Sequence, residues 1–214
     1  KIWKKTKIEK SKIKTMLKLF NFIEKKLVTI NNFVVTQFHK RRFKKFGKGS
    51  IIKSNCIINN AYNIEVGNNV IINEGVWLNG RNRPRKDKKP TLVIGDNCNI
   101  GRFSHINAFE DVLIEENVLI AENVFLGDAD HRVTDPDIAI INQGHALKPG
   151  TIIGTGSFIA RNSVLSGGVK LGKNCLVSAN SVLKKRTYKN NTLIYGNPLK
   201  VVNNYNSKMN LFKQ

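Results

Sequence analysis

Along the middle of the chain aliphatic residues recur with a period of six, at Ile52, Ile58, Val66, Ile72, Ile94, Ile100, Ile106, Ile114, Ile120, Leu126, Ile153, Ile159, Leu165, Leu171 and Val177, with breaks between runs. Counting each of these fifteen as the first slot of a six-residue unit, the fourth slot holds Asn or Gly in eleven cases. Those residues tolerate positive φ at small cost, which a chain turning sharply every six residues demands. The fifth slot holds Cys, Ser or Val in twelve of the fifteen, so its side chain must be compact. An amphipathic helix would bring apolar residues round every three to four positions and an ordinary strand every two, and neither fits. An inward aliphatic residue, a left-handed corner and a small residue after it predict a triangular coil of three short strands, about eighteen residues per turn, each coil burying its neighbour's apolar face.

A different pattern precedes this one. Ile13, Met16, Phe20, Ile23, Leu27, Ile30 and Val34 follow one another in steps of three and four, which predicts a helix. Leu17, Leu19, Phe22 and Phe33 broaden its apolar face, while Lys14, Lys18, Lys25 and Lys26 occupy the other side. Charge follows the same division: residues 1–53 carry 17 Lys and Arg against Glu9 and Glu24, a balance of +15, and the remainder carries 19 against 13, a balance of +6. A basic amphipathic helix followed by HKRRFKK at 39–45 suits an anionic membrane surface, or packing as a cap on the first coil and its symmetry mates. No apolar run approaches the roughly 18 residues of a membrane-spanning helix. The expected organisation is a basic helical arm at 1–48, a coil at 49–186 with loops at 80–92 and 132–151, and a C-terminal segment at 187–214. The chain opens on Lys1 rather than Met, which leaves room for a preceding segment.

Cys56, Cys98 and Cys175 all occupy the fifth slot, interchangeable there with Ser and Val. They read as packing thiols rather than nucleophiles, ligands or disulfide partners, and no metal is expected. Unpaired thiols suit a reducing compartment, so the expected location is the cytoplasm, at the inner face of the membrane if the basic arm binds lipid. The body lacks aromatics interleaved with its charges, so nucleic acid is not an expected partner.

Local rules are broken mainly where function demands it. One interruption reads GRNRPRKDKKP at 80–90, with six basic residues against Asp87, and another reads RVTDPDIAIINQGHALKPG at 132–150. Just before the second, Asp130 fills a fifth slot where a compact uncharged residue is usual, and His131 follows it, where coil gives way to loop. The string GDADHR at 127–132 resembles the site segment of hexapeptide-repeat acetyltransferases that modify polysaccharides or antibiotics. YGNPLKVV at 195–202 is similar to the Gly-Asn-Pro-Ala-Lys ending common in that family, with Leu199 in place of Ala. The sixfold repeat over about residues 50–185 resembles the same family's left-handed parallel β-helix, an all-β solenoid.

That resemblance implies acetyl transfer from acetyl-CoA to a hydroxyl, expected on a sugar or surface-glycan precursor, in a homotrimer with sites between subunits. His131 is then the general base, and Asp128 or Asp130 a carboxylate that orients it. An imidazole with an ordinary pKa of about 6.5 suits removal of a hydroxyl proton as the new bond forms. His105, also at a sixth slot, in the unit that begins at Ile100, reads as a pocket or structural residue, His145 lies in the long loop within reach of an acceptor, and His39 belongs to the arm. Ala121, Ala160 and Ser178 fall in one column of second slots once the loop is removed, where small side chains would admit an extended pantetheine. Lys184, Lys185, Arg186 and Lys200 are the candidates for the phosphates of coenzyme A. Alternatives are N-acetylation of an amino-sugar nucleotide, O-acetylation of an antibiotic, a zinc hydratase relative using His105, His131 and His145, an inactive scaffold, or a polyanion binder.

Overall fold

A computed structural model describes residues 2–83 and 86–202, with side chains from Lys10 onward. After an N-terminal helix, Ile2–Lys40, the chain visits three parallel sheets in rotation. Representative strands are Val112–Ile114 in the first sheet, Leu119–Ile120 in the second and Phe125–Gly127 in the third. Each pairs in register with the strand one coil before and one coil after: Ile114 faces Ile94 and Ile153, Ile120 faces Ile100 and Ile159, and Leu126 faces Ile106 and Leu165. The first slots thus stack into columns, and the inward residues of all three sheets form a single buried cluster. A fully buried Ile or Leu contributes roughly 1.5–3 kcal/mol. Column stacking lets every coil supply several.

The corners bear out the fourth-slot reading. All eleven of its Asn and Gly residues have positive φ, from 53° at Asn174 to 84° at Gly168. Phe103 adopts the same conformation at 57°, without the tolerance of Asn or Gly. Along one edge the corner amides also bond in file, Asn69 Nδ2 to Asn97 Oδ1 and Asn97 Nδ2 to Asn117 Oδ1, each at 3.3 Å. The fifth slot has a further logic. Ser104 Oγ donates to Ala121 O at 2.9 Å, Ser163 Oγ to Ser178 O at 3.1 Å, and Cys98 Sγ to Glu115 O at 2.9 Å, each carbonyl belonging to the next coil. Cys56 and Cys175 do likewise with Asn73 O and Lys189 O. Cysteine stands in for serine as a compact donor, and burial pushes the Cys98 thiol up to about 11, where it is no nucleophile.

Both open ends of the stack are covered. At the start, Thr36 Oγ1 accepts the Ile52 N–H at 2.9 Å and donates to Asn32 O at 2.7 Å, while Val35 packs on the core. At the end, Leu193–Tyr195 and Lys200–Val202 pair antiparallel around a turn with a cis Asn197–Pro198 bond, and Leu199 and Val201 pack on the core. The helix is longer than its apolar spacing indicated, and parallel pairing continues past residue 186 to Leu193 and Ile194.

Candidate functional site

Three fourth slots lack positive φ, at Ala61, Phe109 and Ala129, and the three fifth slots that break the compact rule are their neighbours Tyr62, Glu110 and Asp130. All six residues follow strands of the third sheet, at the corner where the chain returns to the first. The two insertions leave from this same corner, one after Trp77–Gly80 and one after Phe125–Gly127.

Asp128 ties that corner together. Its side chain is fully buried, Oδ1 accepts the Phe109 N–H at 2.7 Å, and Oδ2 accepts those of Glu110 at 2.8 Å and Asp111 at 2.9 Å. Burial pushes its carboxyl above the ordinary carboxylate value, against the pull of the three amides. Its own carbonyl accepts the Lys148 N–H at 2.7 Å, so one residue holds the preceding corner and the root of the long loop.

From that root rises a two-stranded antiparallel hairpin, Ala129–His131 against His145–Leu147. The pairing sets His131 opposite His145, with ring centroids 5.3 Å apart, and His145 in turn lies 5.0 Å from the Phe109 ring. Both histidines are exposed. Asp130 is paired with Lys148 across the hairpin at 3.1 Å. The carboxylates expected beside His131 are therefore engaged elsewhere, Asp128 with amides and Asp130 with a lysine. What the structure sets against His131 is a second imidazole. The loop beyond is folded around Gln143, whose Oε1 accepts the Thr134 and Asp135 amides and whose Nε2 donates to Asp135 O and Ile138 O.

His105 is not at this hairpin. It projects from the outer face of the third sheet, stacked on Trp77 at 4.3 Å and met edge-on by Phe125 at 5.4 Å, and burial pulls its imidazole below the ordinary value. Its Nε2 is buried without a hydrogen-bond partner among the described residues. Along the same outer face Ile57, Trp77, Phe125, Val164 and Val182 continue an apolar stripe.

The column of small second slots forms as the sequence indicated. Ile120, Ile159 and Val177 are in register, which aligns Ala121, Ala160 and Ser178 behind them. Gly101, Ala121 and Ala160 floor a cleft of about 660 Å³ whose cations are Arg102 and Arg161. Arg102 also bonds Glu74 at 3.0 Å, and Arg161 lies 3.6 Å from Glu122. Neither arginine was singled out in the sequence, although both sit directly after the small column residues. Lys185, Arg186 and Lys200 do not line this cleft: the Lys185 stem lies over Gly168, Arg186 sits 5.5 Å over the Tyr188 ring, and Lys200 faces Tyr195 in the terminal hairpin. The cleft follows the second sheet and the histidine hairpin follows the third, so the third sheet lies between them within one chain. A smaller cleft of about 460 Å³ does lie at the hairpin's corner, rimmed by Lys89 and Pro90 from one insertion and Pro149 and Gly150 from the other. Among the described residues no group of three or more His, Cys, Asp or Glu is arranged to hold a metal ion.

A family model for bacterial transferase hexapeptide repeats, six in number, matches residues 139–185, and the resemblance drawn from the repeat is borne out there. No curated protein matches the chain in sequence. The fold is shared with a maltose O-acetyltransferase from Clostridium difficile 630, at 22% identity and a TM-score of 0.54 over 83% of this chain and 82% of that one. It is shared with AntD, an N-acyltransferase from Bacillus cereus in complex with dTDP and coenzyme A, at 18% identity and a TM-score of 0.51 over 80% and 89% of the two chains. A hexapeptide-repeat acetyltransferase from Vibrio cholerae in complex with acetyl-CoA is similar at 18% identity and a TM-score of 0.54, over 77% and 72%.

Proposed function

We propose that this chain, built on the hexapeptide-repeat fold, moves an acetyl group from acetyl-CoA to a hydroxyl of a sugar or surface-glycan precursor, with His131 as general base. The observation that carries the reading is the hairpin: it raises an exposed His131 at the one corner where the repeat is broken, opposite His145. In the proposed step the acceptor oxygen attacks the thioester carbonyl as the imidazole takes its proton. The tetrahedral intermediate then expels the coenzyme A sulfur, which takes the proton back, leaving ester, free thiol and neutral histidine. No acyl-enzyme is required, in keeping with cysteines that face the core.

The coil is taken to close into a left-handed prism, with 49–186 as the catalytic body between the arm at 1–48 and the segment at 187–214. Acetyl-CoA fits the cleft over Gly101, Ala121 and Ala160, where small side chains let an extended chain approach the backbone and Arg102 and Arg161 offer charge to its phosphates. Since that cleft and His131 lie on either side of the third sheet, a complete site needs a second copy. The stripe through Trp77, His105 and Phe125 is the surface on which a homotrimer would assemble. Asp128 acts as a positioning residue for the corner, and Ser178, Lys185, Arg186 and Lys200 remain further along the same stack.

The reading is tested by following free thiol release from acetyl-CoA against a panel of sugar and glycan hydroxyls, with matched amino sugars alongside. Hydroxyl-dependent release is expected. Release only with amines, in line with the N-acyltransferase sharing the fold, would move the reaction to nitrogen, and no release with any acceptor would remove the transferase reading.

A further inference from the structure

The N-terminal helix is the largest part of the molecule the proposed chemistry does not use. Its apolar side chains are exposed from Ile13 to Phe38: Met16 is 70% exposed, Phe20 65%, Phe33 63% and Phe38 70%. Among the described side chains, contact with the coil comes in its last turns, where Val35 and Thr36 meet the core and Ile52. At 39 residues the helix is roughly 58 Å long.

The distribution of its side chains says what covers it. Taking about 100° per residue, the apolar positions from Phe22 and Phe33 through Met16 and Leu27 to Leu17 and Val28 sweep roughly 240° of the circumference. A seam between two helices needs only a narrow stripe of alternate turns. Lys14, Lys18 and Lys25 centre the remaining arc with Asn21, Thr29 and Asn32. Lys26, expected on the polar side, falls instead within the apolar sweep, which Lys12, Glu24 and the uncharged Thr15, Asn31 and Gln37 also interrupt; the lysines have stems long enough to carry their charge out of it. Between residues 10 and 45 there are 11 Lys and Arg against Glu24 alone. A wide apolar arc, a basic polar arc and almost no acid match the interior and the charge of an anionic bilayer surface at the same time. No helix among the described residues is long and apolar enough to cross a membrane, so the fit is to lying in the surface plane.

We propose that the helix docks lengthwise on an anionic phospholipid bilayer, with its apolar arc at the acyl boundary, its lysines among the headgroup phosphates, and the Thr36–Ile52 joint holding the coil to it. This stands independently of the transferase reading.

The test is co-sedimentation of the full chain with phosphatidylcholine vesicles, with and without one-quarter phosphatidylglycerol, at physiological salt. The double variant Phe20→Asp, Leu27→Asp and the triple variant Lys14→Glu, Lys18→Glu, Lys25→Glu run beside it, with oligomeric mass followed by light scattering. The chain is expected to sediment with the anionic vesicles, and each variant to lose at least tenfold in apparent affinity at unchanged mass. Failure of the wild type to sediment overturns the proposal, as does sedimentation that the double aspartate variant leaves intact. Absence of vesicle binding together with a drop in mass in the aspartate variant overturns it in favour of a second copy on the apolar arc.

Discussion

Two kinds of corner turn this coil. The corners leaving the first and second sheets are made alike in every turn, by an Asn or Gly with positive φ followed by a compact residue, with Phe103 the one departure in residue type. The corner leaving the third sheet begins from the same inward aliphatic residue and keeps the regular form at Gly168 and Val169, but in its other turns it carries Tyr62, Glu110 and Asp130, a buried carboxylate, both insertions and the histidine hairpin. A stack held by three sheets can keep two edges regular and let the third vary, because the core depends only on the inward column. On the proposed function the base stands on the variable edge and the coenzyme lies along the regular edge that leaves the second sheet, as expected when a rigid scaffold presents variable loops.

That division can be broken at several points. Asp128→Ala should do most damage to the scaffold, by about 3 kcal/mol, because it leaves three amides beneath the hairpin without an acceptor. Asp128→Asn, which keeps one acceptor oxygen, should cost less, and denaturant unfolding separates the two. At a regular corner, Asn97→Ala removes an αL-tolerant residue and both amide bonds of the file, a loss of about 1–2 kcal/mol by the same measurement, with the hairpin untouched. Phe103→Asn should act in the other direction and raise stability by up to about 1 kcal/mol, since Phe bears the left-handed strain that Asn tolerates. Smallest is a pH effect. Burial holds His105 below the ordinary imidazole value, so the unfolded chain binds a proton more readily and stability should fall as pH drops below about 6.5. His39, lowered by burial and by Arg42, adds to the same slope. Replacing His105 by Phe, which keeps a ring against Trp77, should flatten the melting temperature between pH 7 and 5.

The scaffold was legible because the repeat states its constraint fifteen times, and an Asn at a left-handed corner means the same thing in each coil. The hairpin was legible only as a broken rule at Asp130 and a histidine after it. Its contents were not: Asp128 finds its partners among backbone amides 17 to 19 residues earlier, which side-chain spacing cannot announce. His145 meets His131 through antiparallel pairing across an insertion that carries no repeat. The small column was visible at second slots, and the signal for Arg102 and Arg161 lay one position further on, in cations recurring at third slots of aligned units.

The most direct test of the assignment of chemistry to the irregular corner is acetyl-CoA turnover, read as acceptor-dependent thiol release, in the wild type and His131→Ala with the melting temperature of each. His131 is exposed, so its removal should leave melting unchanged while turnover falls by roughly 10²–10⁴, the usual contribution of a general base. Turnover that survives the substitution in a folded protein would contradict the account and return the search to the regular edges.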